Sequence, residues 1–280
     1  MLPVRPSGAQ RASGPHSFAR VLRALLAVLL ACGFLAQVEP VLANAKKVVI
    51  VVGPTGSRTA DFIQNADWIA NRARGYGASV YQVYSPNATW SRVKDVAQGA
   101  NLLVYLGHGN GWPSPYAPYQ PYTKNGMGLN ATAGDGHYNT KYWGEYYLAN
   151  ELNLAPNAVV ILNRLCYASG NSEWGAANPT LTVAKERVDN FGAGFLRTGA
   201  KAVFAEGITS TGYIVDRLFK SNLSMSQIFW SSPNNHVNYP NASYDSKRTP
   251  GEYALLDPSG PGQYYRSFIG HRRMTAADWR

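Results

Sequence analysis

The chain of 280 residues is long enough to bury one hydrophobic core, and 45% of its residues are hydrophobic, which is typical of a globular protein. Its formal net charge is +10, but lysine and arginine are scattered rather than gathered in a run, so we expect no nucleic-acid partner. A solvated surface is the simplest account of this charge, although attraction to an anionic cell envelope remains open. The chain has two cysteines, and removal of Cys32 with an N-terminal signal would leave a mature chain that cannot form an internal disulfide.

Residues 1–45 have the layout of a secretory signal peptide. Arg20 and Arg23 precede an apolar run at 24–35, and an Ala-Asn-Ala cleavage motif ends at Ala45. We therefore expect cleavage near Ala45, export to the cell envelope or the medium, and a mature chain with no membrane span. Cleavage would remove four arginines and one glutamate, which lowers the net charge to +7.

Two other interpretations of this N-terminal segment stay open. It could be a membrane anchor, although its apolar run is shorter than the roughly 20 residues that a spanning helix needs. The tetrapeptide at 29–32 also resembles a lipobox, in which Cys32 would carry a lipid. If the signal is cleaved near Ala45, Cys166 is the single cysteine of the mature chain.

The rest of the sequence alternates between two kinds of segment. Nearly continuous apolar runs rich in β-branched residues predict buried strands at 48–52, 78–83, 101–106 and 158–162, with a fifth at 202–205. Helix-length segments lie at 59–73, 89–98 and 181–196. This alternation predicts βαβ units and a mostly parallel sheet with helices on both faces. Ligands of such sheets bind beyond the carboxyl ends of the strands.

Two stretches lack this alternation. The segment 110–147 is rich in Tyr, Pro, Gly and Asn, and it predicts a long functional loop inserted in an α/β domain at 46–230. The segment 231–280 is rich in Pro, Asn, Ser and Gly, and it predicts a polar, extended and partly ordered C-terminal appendage.

Two predicted strands end in residues that can perform chemistry. The third strand runs into Gly107-His108-Gly109, and the fourth is followed by Cys166. A thiol needs a proton carrier and donors to an oxyanion in order to hydrolyse a peptide bond. Cys166 supplies the thiol and His108 is the candidate proton carrier. The amides of Gly109 and Cys166 are candidate oxyanion donors. A buried structural cysteine is the simpler alternative.

The pattern of an apolar strand ending in His-Gly and, 58 residues after the histidine, a second strand ending in Cys resembles the caspase-like clan of cysteine peptidases. This resemblance covers about residues 46–220. It implies a caspase–hemoglobinase fold, a Cys166/His108 dyad, a peptide or protein substrate, and no cofactor. Leu165 and Tyr167 depart from the caspase motif, so the resemblance lies nearer to legumains, gingipains and clostripain than to true caspases.

Other residues have weaker indications of function. The glycine-rich loop at 53–58 lacks the endings of phosphate-binding loops, but in the caspase resemblance Arg58 would hold an acidic substrate side chain. A solvated Arg58 is an equal alternative. Glu173 and Glu206 follow strands four and five and are candidates to orient a basic side chain at the crevice rim. His137 has no second ligand at metal spacing, so no metal site is predicted.

The leading hypothesis is an exported cysteine endopeptidase with a Cys/His dyad. The main alternative is a non-catalytic binding protein of the cell envelope, which uses the tyrosine-rich loop at 110–147 to hold peptide or glycan on the same scaffold. A third possibility is an unrelated flavodoxin-like domain in which the two residues come together by accident.

Overall fold

The computed structural model of the chain describes residues 45–236 and 238–280. The predicted signal sequence up to residue 44, including Cys32, lies outside the described residues. Across the described ranges, no helix combines the length and the apolar character that are needed to cross a membrane.

The described residues form ten strands and seven helices. The strands are β1 (Lys47–Val52), β2 (Ser79–Tyr84), β3 (Leu102–Leu106), β4 (Met127–Asn130), β5 (Thr140–Trp143), β6 (Ala158–Asn163), β7 (Ala200–Glu206), β8 (Ala242–Asp245), β9 (Glu252–Leu256) and β10 (Arg266–His271). The helices are α1 (Thr59–Gly75), α2 (Trp90–Ala97), α3 (Glu145–Glu151), α4 (Leu181–Leu196), α5 (Gly212–Lys220), α6 (Met225–Trp230) and α7 (Ala276–Trp279).

Eight of these strands form one sheet, in the order β2-β1-β3-β6-β7-β10-β9-β8. The first five strands are parallel, whereas β10, β9 and β8 are antiparallel to their neighbours. The predicted mostly parallel sheet is therefore confirmed, and each of its five predicted strands begins and ends within two residues of the expected position.

The central strands β1, β3 and β6 are buried on both faces, as the continuous apolar runs predict, whereas the edge strand β2, also predicted to be buried, is largely exposed. Alternate residues of β1 illustrate this: Val49 and Val51 pack with α2, α3 and α4, while Val48, Ile50 and Val52 pack with α1, α5, α6 and α7. The result is the predicted three-layer α/β sandwich, with helices on both faces of a mostly parallel sheet.

Local sequence sets the helix boundaries. The side chains of Thr89 and Thr180 accept the first free N–H groups of α2 and α4, which is the usual role of threonine at a helix start. The three predicted helices are confirmed, and α4 spans the predicted 181–196.

Two predictions about the remaining segments are wrong. Residues 231–280 are not an appendage, because they supply β8, β9 and β10 to the central sheet and β10 pairs along β7. The segment 110–147, predicted as a loop without helical or strand period, contains the antiparallel pair β4 and β5 and the start of α3.

Candidate active site

His108 and Cys166 leave the sheet at the same edge. Leu106, the last residue of β3, is paired in register with Asn163, the last residue of β6. His108 follows two residues after the first strand end, and Cys166 follows three residues after the second. Parallel pairing therefore brings both residues to the carboxyl edge, where ligands of such sheets bind.

The loops after these two strands touch through their backbones. A β-carbon built on Gly109 would lie 2.0 Å from the carbonyl oxygen of Cys166 and 3.1 Å from its backbone nitrogen. No β-carbon fits between two backbone segments this close, so glycine is required at position 109. This contact brings the histidine loop directly against the backbone of the cysteine.

Cys166 sits in a tight and strained turn. Arg164 and Tyr167, on either side of it, have φ angles of 63° and 69°, in the left-handed region that residues other than glycine rarely adopt. The Arg164 N–H donates to the Glu206 carbonyl oxygen at 2.8 Å, and the Ala168 N–H donates to the Cys166 carbonyl oxygen at 2.9 Å. Backbone strain of this kind clusters at functional sites.

The Cys166 side chain is half-buried, and this sets its acidity. Burial raises the pKa of the thiol, because the thiolate loses hydration. The Trp174 backbone N–H opposes the rise in the pKa of the thiol, whereas the charge of Glu173 adds to it. The thiol is consequently protonated at neutral pH in the resting protein.

His108 lies on the other side of this contact, against the β4–β5 hairpin. A β-carbon on Gly128 would lie 3.3 Å from the His108 β-carbon and 3.1 Å from the ring of Tyr142. The imidazole is exposed, but packing around it removes enough water to lower its pKa. It is therefore neutral at neutral pH and able to accept a proton.

A cavity of about 740 Å³ opens beside Cys166. Two arginines, Arg58 and Arg164, line it, and their guanidinium carbons lie 5.7 and 5.8 Å from the centre of the Phe62 ring. Neither arginine forms an ion pair within the described residues, and Arg164 Nε is buried without a partner there. The cavity thus has a cationic wall.

The predicted acidic residues have different positions. Glu173 lines the cavity, where its carboxylate accepts the Tyr116 hydroxyl at 2.9 Å. Glu206 does not lie at the rim, and that expectation is wrong. Its side chain is fully buried in an ion pair with Arg266, with a Glu206 Oε2 to Arg266 Nε distance of 3.0 Å. It is therefore a structural group beneath the site.

His137 donates to or accepts from the Ser85 hydroxyl at 2.9 Å. Over the part of the chain that the structure describes, no group of three His, Cys, Asp or Glu residues is arranged to hold a metal ion.

Sequence reasoning missed one residue that fastens the site. Arg187 is 6% exposed and donates to the carbonyl oxygens of Pro113, at 2.7 Å, and of Asn171, at 2.8 Å. It thereby ties the 110–123 segment to the segment that follows Cys166. Helical periodicity could have found it, because Arg187 shares the buried face of α4 with Ala184 and Phe191.

Arg164 and Trp174 were also missed. Trp174 is fully exposed and lines the cavity. Nothing in the local sequence indicates the left-handed backbone that turns Arg164 toward the cavity, since it depends on the packing of the loops after β6 and β7.

The chain matches no protein-family model, and no curated protein is similar to it. Among solved structures, it is similar to a secreted C11 cysteine protease from Bacteroides thetaiotaomicron, determined in complex with an irreversible peptide inhibitor. The two share 12% identity with a TM-score of 0.39, over 76% of this chain and 66% of that chain. At this identity and TM-score the likeness is a distant one, and no residue role, substrate or partner of this chain follows from it.

Proposed function

We propose that the chain is an exported cysteine endopeptidase with Cys166 as nucleophile and His108 as proton carrier. The backbone contact between Gly109 and Cys166 is the observation that supports it most directly. A lone thiol and a histidine that share a fold by accident have no reason to lie in loops pressed together at the ligand-binding edge.

The proposed reaction has two halves. Cys166 Sγ attacks the scissile carbonyl carbon while its proton passes to His108, and the C–N bond breaks as His108 protonates the departing amine. Water then attacks the thioester carbon, gives a proton to His108, and releases the new carboxyl group with the thiol restored. The neutral states of both groups at rest fit a proton transfer that accompanies attack.

The amides of Gly109 and Cys166 are suited to hold the oxyanion. Within the described residues, neither N–H donates to another protein group. Unpaired, preorganised donors of this kind stabilise charge that develops in a transition state.

The cationic wall supports a preference for an acidic side chain next to the scissile bond. Arg58 and Arg164 lack carboxylate partners in the described structure, and a substrate carboxylate would pair with them. Glu173 is less suited to hold a basic side chain, because it already accepts the Tyr116 hydroxyl.

A panel of fluorogenic peptides and an electrophilic thiol probe test this function. The mature protein should cleave peptides and be labelled, whereas Cys166→Ala should do neither and His108→Ala should lose hydrolysis. His137→Ala is the matched control and should keep it. Hydrolysis that persists in Cys166→Ala, or a reduced wild-type protein that neither cleaves nor labels, would contradict the proposal.

The exposed aromatic surface favours the second candidate function, a non-catalytic binding protein. Tyr122 and Tyr146 are 51% and 43% exposed, and their ring centres lie 4.7 Å apart. Exposed aromatic faces hold peptide and sugar rings by stacking. Retention of peptide or glycan by a wild-type protein that cleaves nothing would support this function instead.

A further inference from the structure

The phenol of Tyr105 lies beneath the histidine loop and contacts it directly. Tyr105 belongs to β3, and its side chain has no exposed surface. Its hydroxyl accepts the Gly128 N–H at 2.8 Å, and its single proton is shared between the carbonyl oxygens of His108 and Gly128, each 2.9 Å away. One hydroxyl therefore joins the backbone of His108 to strand β4.

The surrounding backbone is built closely around this side chain. A β-carbon at Gly107 would lie 2.4 Å from the Tyr105 hydroxyl, and one at Gly53 would lie 3.2 Å from it. Glycines in the loops after β1 and β3 thus leave room for the phenol. The side chain fills the space between three segments that meet under the site.

These contacts reach the imidazole by two routes. The first is the hydrogen bond to the His108 carbonyl, which holds that residue's own backbone. The second is Gly128, which the hydroxyl holds at both its N–H and its carbonyl, and which packs against the His108 β-carbon. The next residue, Gly109, contacts the Cys166 backbone, so a shift of His108 also changes its relation to the thiol.

We infer that Tyr105 is a positioning residue that fixes the His108 imidazole and the Gly109 amide relative to the Cys166 thiol. This inference rests on the proposed function, in which these groups act together. Its basis is the combination of complete burial, three polar contacts at one hydroxyl, and glycines on two sides. Any buried tyrosine hydroxyl needs hydrogen-bond partners, but those of Tyr105 are the His108 carbonyl and the Gly128 backbone that packs against His108.

The test compares Tyr105→Phe with the wild type and with Tyr244→Phe. Phenylalanine keeps the ring and removes only the hydroxyl. Tyr244 is the matched control, because its hydroxyl also donates to a main-chain carbonyl at 2.9 Å, that of Lys185, but from β8 at the far edge of the sheet. We expect Tyr105→Phe to lower kcat by about 100-fold, the scale of a misplaced catalytic group, and to change KM less than about twofold. Tyr244→Phe should retain kcat.

A second readout is the pH dependence of Cys166 alkylation by iodoacetamide, which needs no peptide substrate. In the wild type the rate should show an inflection that His108→Ala removes, and Tyr105→Phe should shift or remove the same inflection. Four other titratable groups interact electrostatically with the Cys166 thiol, and all of them are unchanged in these variants. They are Tyr116, Tyr142, Tyr167 and Glu173. Far-UV circular dichroism and urea unfolding establish that each variant is folded.

Several outcomes would overturn the inference. They are a folded Tyr105→Phe with wild-type kcat, an equal loss of kcat in Tyr244→Phe, or an alkylation profile that Tyr105→Phe leaves unchanged. If Tyr105→Phe does not fold, the fallback variant is Gly107→Ala, which displaces the phenol without removing it and should lower kcat in the same way. A folded Gly107→Ala with wild-type kcat would contradict the inference.

Failure of the proposed function gives a different result. In that case the wild type cleaves no peptide, and the alkylation profiles alone decide about Tyr105. A His108-dependent inflection that Tyr105→Phe shifts supports the positioning role without peptidase activity. A profile that His108→Ala leaves unchanged shows that there is no coupled pair to position.

Discussion

Gly109 and Cys166 are in backbone contact, although 57 positions separate them in the sequence. The place of a β-carbon on Gly109 lies 2.0 Å from the Cys166 carbonyl oxygen, and both residues follow neighbouring parallel strands. The sheet alone brings the strand ends near each other, but only the missing side chain allows the loops to close. The geometry of the site therefore depends on Gly109 having a hydrogen atom where alanine would have a methyl group.

Gly109→Ala should separate the two loops and reduce kcat by about 100-fold, because misplacement of reacting groups by about 1 Å has this effect. Peptide hydrolysis is the measurement, with circular dichroism to establish folding. Gly75→Ala is the matched control, since a β-carbon at Gly75 would meet nothing within 4 Å. Equal activity of the two variants would show that the contact has no part in catalysis.

Substrate preference should follow the two arginines of the cavity. Arg58→Gln should reduce kcat/KM for peptides with an acidic residue before the scissile bond by about 10- to 100-fold, the loss of one charge-assisted hydrogen bond of about 1.5 to 3 kcal/mol. Arg164→Asn should have a similar effect, and asparagine tolerates the positive φ at this position.

The control for both substitutions is Arg92→Gln on the exposed side of α2, which should leave kcat/KM unchanged. A library of peptides that differ only at the residue before the scissile bond provides the measurement. If both cavity variants cleave acidic and neutral peptides with the wild-type ratio, the cationic wall does not select the substrate.

The sequence was sufficient to predict the five parallel strands and the sheet edge at which the loops of His108 and Cys166 begin. Long apolar runs such as 48–52 can only be buried on both faces, and parallel strands share a carboxyl edge. It was not sufficient for the segment 231–280, whose strand β10 contains the fully buried Arg266. A charged residue at such a position is stable only beside partners that are distant in sequence, and a local pattern cannot reveal them.

The same limit applied to Glu206. Its place just after a predicted strand suggested the crevice rim, yet its carboxylate pairs with Arg266, 60 residues later. The left-handed backbone of Arg164 and the role of Tyr105 likewise depend on contacts between separate loops. Strand ends are therefore predictable from local patterns, whereas the side chains that fix them are not.

The pH dependence of kcat/KM should have its acid limb below pH 6.5. Burial lowers the pKa of His108 from its usual 6.5, so the imidazole stays neutral until the pH falls below that value. Hydrolysis should therefore persist as the pH drops to 6.5 and decline beneath it, when protonated His108 can no longer accept the thiol proton. An acid limb centred above pH 6.5 would contradict this assignment.

Glu173→Gln should increase the reactivity of Cys166. Burial is the main cause of the raised pKa of the thiol, and the negative charge of Glu173 raises that pKa further. Glutamine removes the charge but keeps an oxygen for the Tyr116 hydroxyl, so iodoacetamide labelling at neutral pH should become severalfold faster. Glu186→Gln, on the exposed face of α4, is the control. Labelling at the wild-type rate in Glu173→Gln would mean that this charge does not reach the sulfur.

Arg266→Met should lower the free energy of unfolding by about 3 to 5 kcal/mol, because it leaves the Glu206 carboxylate buried without a cation and Asp257 with only His236 beside it. Arg272→Met, in an exposed ion pair with Asp245, should cost less than about 1 kcal/mol, and urea unfolding measures both. Combining Arg266→Met with Glu206→Gln should recover part of the loss, since one uncompensated charge is then removed. A small effect of Arg266→Met alone would mean that the buried carboxylates take up protons at little cost. Glu206, whose carbonyl oxygen accepts the Arg164 N–H, would then be held in place by packing rather than by its ion pair with Arg266.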